Sequence, residues 1–95
     1  MSAYFIVEVE ITDPIPYEGY KPLAAASIEK YGGRFKVRGG KAELIEGVNP
    51  PKRVVVIEFN SVEAAKRWYD SREYQDALAI RQRASKSRAI LVEGV

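Results

Sequence analysis

Tyr31-Gly-Gly-Arg-Phe-Lys-Val-Arg-Gly-Gly40 ends a helix, starts a strand and stops it again. Gly32 and Gly33 stand where a helix needs a left-handed residue to terminate, a conformation glycine adopts without steric cost. Strand alternation then sends Phe35 and Val37 to one side and Arg34, Lys36 and Arg38 to the other. The stretch therefore predicts a small sheet with one apolar face and one charged face.

Outward from this run, Ala3 to Ile11 alternates in the same way, with Phe5, Val7, Val9 and Ile11 opposed to Tyr4, Ile6, Glu8 and Glu10. That pattern marks a half-buried strand. Pro14 and Pro16 stop it, because neither can donate to a ladder, and Asp13 is a candidate helix cap. Tyr17, Tyr20, Ala24, Ser27, Ile28 and Tyr31 recur at helical spacing. Gly19 and Pro22 weaken the first turns, so a short turn near Tyr17, a kink, and a main helix with Pro22 close to its start are expected. After Gly39-Gly40, residues Lys41 to Pro51 read as a connection carrying a short strand piece at Ala42 to Glu46. Arg53 to Phe59 holds three consecutive valines, which favours burial on both faces and a central position. Asn60-Ser61 then caps a helix whose inner face carries Val62, Ala65, Trp68 and Tyr69, with Glu63 in its first turn. Ser71 begins a second helical piece bearing Tyr74, Ala77, Leu78 and Arg81. Ser87 to Glu93 is the last strand.

The order strand, helix, strand, strand, helix, strand, with short connections and right-handed crossovers, predicts an α+β fold. It is the ferredoxin-like βαββαβ arrangement, a four-stranded antiparallel sheet with its helices on one face. The helix-free face carries Tyr4, Ile6, Val54, Val56 and either Ile90 or Leu91. Exposed apolar surface costs roughly 25 cal/mol per Å2, and the same face of a second copy would cover it. A homodimer joined through the sheet is therefore expected.

With 95 residues the chain has room for one core, predicting a single domain over 1–95. Its formal charge of +2 is too small to demand a nucleic acid or a membrane surface. There is no cysteine, which removes disulfides and thiolate chemistry. There is no histidine either, which removes the commonest general base, the commonest zinc ligand and every Ser-His pair. No apolar run approaches the roughly 18 residues of a membrane span, and Tyr4-Phe-Ile-Val follows the start without a basic leader. A cytoplasmic protein without metal or cofactor is the expectation.

In combination, several stretches resemble domain-of-unknown-function family 1330. They are the tyrosine-bearing first helix, Tyr31 to Gly40, Glu46-Gly47, Arg53-Val-Val-Val-Ile-Glu-Phe59, Ala64-Ala-Lys-Arg-Trp-Tyr-Asp-Ser71, Glu73-Tyr74 and Ile90-Leu-Val-Glu-Gly94. The resemblance covers nearly the whole chain. It implies a dimeric α/β barrel of ferredoxin-like subunits, in a superfamily that also holds cofactor-free monooxygenases and small-ring isomerases, and it implies no reaction. Carried onto this chain it singles out Tyr20, Gly32, Gly33, Arg34, Arg38, Gly39, Gly40, Arg53, Glu58, Trp68, Tyr69, Ser71 and Tyr74.

Two groups of residues could carry chemistry. On the helix-free face, Glu8, Arg34, Arg38, Glu58 and Arg88 are expected together, with Glu8 beside Glu58. Unpaired, two carboxylates would raise one pKa and create a proton-transfer group. With Arg38 close by, they would form a satisfied ion-pair network at a dimer interface. On the helical side, Tyr17, Tyr20, Tyr31, Tyr69 and Tyr74 join Trp68 and Arg53. Aromatic walls, phenolic donors and one guanidinium suit a small flat carboxylate or phenol; the same spacing also describes core tyrosines with wet tips.

Other motifs recede. The glycine pairs fit neither G-x-G-x-x-G nor a P-loop. The basic runs Arg34 to Lys41 and Arg81 to Arg88 raise RNA binding, yet Val54, Val56 and Glu58 offer no aromatic platform for bases. The residues thus predict a homodimer that binds a small organic ligand, aromatic or carboxylate, between sheet and helices. Tyr20, Arg53, Tyr69 and Tyr74 would form the walls, with Arg53 as anion anchor and Glu58 and Arg38 in the wider ligand-binding set. The rival is a cofactor-independent enzyme, monooxygenase- or isomerase-like, with Glu58 or a tyrosine as acid/base. A structural dimer without a ligand is the third reading. No catalytic residue is identifiable from the sequence.

Overall fold

Phe5, Val7 and Val9 are buried while Glu8 and Glu10 are exposed, so the alternation of the first strand seats it on a core. A computed structural model describes residues 1–95. The elements are β1 (Ala3–Ile11), α1 (Pro14–Lys30), β2 (Arg34–Arg38), β3 (Arg53–Phe59), α2 (Val62–Tyr69), α3 (Arg72–Ala84) and β4 (Ser85–Glu93). All strands join one antiparallel sheet in the order β2-β3-β1-β4. This is the ferredoxin-like α+β topology, with the second helical region divided at Ser71. The slab measures 33 × 32 × 17 Å, one layer of sheet and one of helix. No helix is long and apolar enough to cross a membrane.

The core lies between the layers. Phe5, Val7, Val9, Val55, Ile57 and Phe59 supply it from the sheet, and Tyr17, Ala24, Ile28, Ala65, Trp68, Tyr74, Ala77 and Leu78 from the helices. Trp68 is fully buried, its ring edge-on to Phe5 at 5.1 Å and tilted against Tyr74 at 4.1 Å between centroids. A buried indole needs an acceptor. Trp68 Nε1 donates to Ser27 Oγ at 3.0 Å, and Ser27 Oγ donates onward to the Ala24 carbonyl at 2.8 Å. Ser61 and Ser71 cap α2 and α3 by accepting from the Ala64 and Tyr74 amides.

Two local expectations fail for identifiable reasons. The first helix is unbroken from Pro14 to Lys30, with Pro22 in its interior rather than near its start. Proline removes one helical donor, at a cost of about 3 kcal/mol, but burial of Tyr17, Ala24, Ser27 and Ile28 holds both halves to the same layer. Asp13 occupies the N-cap position, although its side chain makes no cap hydrogen bond. Residues 42–46 form no strand; the connection turns through Gly47 (φ 109°) and Asn49 (φ 69°) before Pro50-Pro51, leaving Ile45 and Val48 exposed.

Helix α1 terminates as its glycines predict. Gly32 takes φ 79°, and the Gly33 amide reaches back to the Ile28 carbonyl at 2.8 Å. Removing the hydroxyl that joins α1 to α2 should be costly. Ser27→Ala leaves a buried indole donor unpartnered, and chemical denaturation should show a loss of about 1–3 kcal/mol. A change below about 0.5 kcal/mol, the ordinary surface range, would show that the link contributes little.

Candidate functional site

Strand β2 does not alternate as its sequence suggests. Arg34 pairs with Glu58 and Phe35 with Ile57, but Val37 pairs with Val56 and Arg38 with Val55, so Lys36 is an inserted bulge residue. Every position after the bulge changes face. Val37 moves to the helix-free side, where it is 39% exposed, and Arg38 moves to the helix-covered side. Arg38 therefore does not join Glu58 in a charged cluster, as alternation predicts. It packs over Phe35 instead, 4.3 Å from the ring centre.

This register change completes a narrow slot between α1 and the sheet. Val7, Val9, Val55 and Ile57 line it from the strands, Tyr17, Tyr20, Ala24 and Ile28 from the helix, and Lys21, Arg38 and Arg53 bring three cations. No carboxylate lines it. Its free interior is about 30 Å3, the room of a single water. Arg53 faces the slot because it lies opposite Val9 on the covered side of the sheet. Gly39 provides its seat: a Cβ there would fall 2.0 Å from Arg53 Nη1, and the residue holds φ 74°. Arg53 Nε is buried with no hydrogen-bond partner.

The tyrosines divide. Tyr20 lines the slot and its hydroxyl lies 2.8 Å from that of Tyr74. Tyr74 is fully buried behind it. Burial raises the pKa of both phenols, and for Tyr20 the neighbouring Tyr74 raises it further. Both are protonated donors at neutral pH. Tyr69 packs on Tyr74 at 5.5 Å between centroids but opens onto clefts beside β4, away from the slot. Tyr31 bonds Glu73.

Glu58 lies on the helix-free face, away from the tyrosines of the helical layer. Its carboxylate accepts from Tyr4 at 3.3 Å and pairs with Arg34 at 3.4 Å and Lys36 at 3.6 Å. Glu8 and Glu58 are not neighbours: Glu8 stands opposite Val54 and Glu58 opposite Tyr4. Glu8 instead accepts from the Lys52 amide at 2.8 Å. A hydrogen bond from Ser2, aided by the charges of Lys36 and Arg34, holds the Glu58 carboxyl below its ordinary range. The raised carboxylate of a like-charged pair is absent here. Sequence reasoning missed Lys21 and Phe35 as slot residues. Lys21 shares a helix face with Tyr17, a readable signal, whereas nothing in the alternation of β2 announced the bulge.

Comparison with known proteins agrees with this architecture. The chain belongs to the family described as Domain of unknown function (DUF1330), which matches residues 2–95. A protein of unknown function from Rhodopseudomonas palustris is similar at 22% identity and a TM-score of 0.80, covering 99% of this chain and 82% of that one. SnoaB, a cofactor-independent oxygenase from Streptomyces nogalater, is similar at 15% identity and a TM-score of 0.73, covering 99% and 93%. A dimeric ferredoxin-like protein of unknown function from Thermobifida fusca is similar at 15% identity and a TM-score of 0.58, covering 99% and 92%. No curated protein matches the chain. At these identities the likenesses establish the fold.

The state of Glu58 yields a test. Its folded pKa lies below the ordinary 4.5, so its contribution to stability is present above that value and disappears as pH falls through the folded pKa. Urea midpoints measured from about pH 6 to about pH 3 should fall less steeply for Glu58→Gln than for the parent chain. Parallel acid limbs would show that Arg34 and Lys36 contribute nothing through this carboxylate.

Proposed function

We propose that this protein binds a small aromatic carboxylate between α1 and the sheet, and does so as a homodimer paired through the helix-free face. The observation that carries the ligand reading is Arg53 Nε, a buried donor without an acceptor, in a slot with three cations and no anion. A carboxylate supplies the missing acceptor and charge, and guanidinium groups bind it through geometrically matched hydrogen bonds. Arg53 and Arg38 are the proposed anchors. The Tyr20 hydroxyl donates from the wall, Tyr74 orients that hydroxyl, and Tyr69 buttresses Tyr74 through the ring stack. Glu58 belongs to the dimer face in this reading.

The free interior of the slot is about 30 Å3, too small for an aromatic ring, so binding one requires the first turns of α1 to move. Pro22 makes that movement cheaper, because the Glu18 carbonyl lacks its helical donor. A cofactor-independent reaction, the activity named for SnoaB, is the second reading. It is supported by the Tyr20–Tyr74 phenol pair on the slot wall. With both pKa values raised, the pair would steady an oxyanion rather than remove a proton.

For the dimer, Val37, Ile90 and Val92 are 39%, 45% and 41% exposed, beside the half-buried Tyr4, Ile6, Val54 and Val56. Charges of both signs flank them, with Glu58 among Arg34 and Lys36 and Glu8 beside Arg88 on the next strand. A two-fold axis would bring such a face onto itself. The dimeric Thermobifida fusca neighbour supports a second copy as the occupant.

Benzoate should raise the melting temperature while the uncharged benzamide does not. Arg53→Gln should weaken benzoate binding about tenfold or more, the worth of a charge-assisted hydrogen bond. Equal shifts from both compounds, or none from either, would overturn the ligand reading. Independently, sedimentation should give a dimer for the parent chain and a folded monomer for Val56→Glu; a parent monomer at micromolar concentration would overturn the assembly.

A further inference from the structure

Arg81 is 4% exposed, yet neither its Nε nor its Nη1 meets an acceptor. It forms none of the ion pairs of the chain and lies over no aromatic ring. Its position in the last turn of α3 lets the helix carbonyl dipoles offset part of its charge. That does not satisfy its N–H groups, and a buried charge left unpaired is strongly unfavourable. The surrounding side chains are those that would complete such a charge from outside. Arg81 lines a cleft of about 400 Å3 with Tyr69, Gln82, Ser85, Ser87 and Ala89.

No carboxylate lines the cleft. It lies along the sheet edge, because β4 is the outer strand and Ser85, Ser87 and Ala89 stand opposite Ile11, Val9 and Val7 on the covered face. Ser85 is already committed, its hydroxyl donating to the Arg81 carbonyl at 2.5 Å and fixing the end of α3 against β4. The Ser87 hydroxyl, the Gln82 amide and the Tyr69 phenol make no such commitment, and each can donate. We infer that the α3–β4 cleft binds a small oxyanion, such as a carboxylate or sulfate, with Arg81 as its counter-ion and Ser87, Gln82 and Tyr69 as neutral donors. This site uses neither Arg53 nor Arg38, although the charge of Arg81 also reaches the Tyr20 and Tyr74 phenols beside the slot.

The test is titration of the parent protein with sodium sulfate and sodium acetate at constant ionic strength, following the Arg81 Nε–H resonance by NMR. A saturable shift is expected with either anion and not with chloride. Arg53→Gln, which disables the slot, should retain binding at Arg81; in that background Arg81→Met should abolish the remaining thermal stabilisation and Ser87→Ala should weaken binding several-fold. If Arg81→Met does not fold, the resonance of the parent protein still decides. An unmoved Nε–H, or a response that chloride reproduces, would overturn the proposal. So would a bound-like resonance that grows with protein concentration alone, since a carboxylate of a second copy would then be the partner.

Discussion

Between Phe35 and Val37 the second strand advances two residues while its neighbour β3 advances one, and the chain beyond that point is turned over. Without the bulge, Arg38 would face the open side of the sheet with Glu58, and Val37 would fill the space under α1. With it, a guanidinium replaces an isopropyl group on the covered side. The sheet thereby brings Arg38 and Arg53 to one slot and leaves Glu58 to Arg34 and Lys36. Separation of the two charge groups, cations beneath the helix and an ion-pair cluster on the open face, follows from one inserted residue.

That separation matters because the slot walls are apolar. Charges at the edge of a low-dielectric surface act over longer distances than the same charges in water. Three cations without a carboxylate therefore give the slot a positive potential. The phenols add a neutral hydrogen bond rather than charge: burial raises the pKa of both Tyr20 and Tyr74, and their hydroxyls lie 2.8 Å apart with either one able to donate. Gly39 contributes by having no side chain, since the guanidinium of Arg53 occupies the space a Cβ would take.

Much of this was readable from residue order. The alternation of Ala3 to Ile11, the cap at Ser61, the helix start at Ser71 and the glycine stop after Tyr31 each rest on local stereochemistry, and each appears where that stereochemistry places it. Arg53 could be assigned to the helical side because β3 alternates regularly. What escaped was non-local. The bulge arises from pairing with β3, so simple alternation puts Arg38 on the open face, and counting from the strand starts sets Glu8 beside Glu58 because register depends on the turn that fixes it. Local propensity makes Pro22 a boundary because it gives no weight to α3, which Tyr20 and Lys30 contact from either side of the proline. The unpartnered state of Arg81 is likewise a fact of tertiary burial, since the sequence shows only an arginine in the last turn of a helix.

Cross-strand nuclear Overhauser contacts between β2 and β3 in solution test the central claim most directly. The bulged register predicts contacts of Val37 with Val56 and of Arg38 with Val55, together with contacts from the Arg38 side chain to the Phe35 ring. Contacts of Lys36 with Val56 and of Val37 with Val55 would instead mean regular alternation, with Arg38 on the open face and a slot lacking one of its two guanidinium groups.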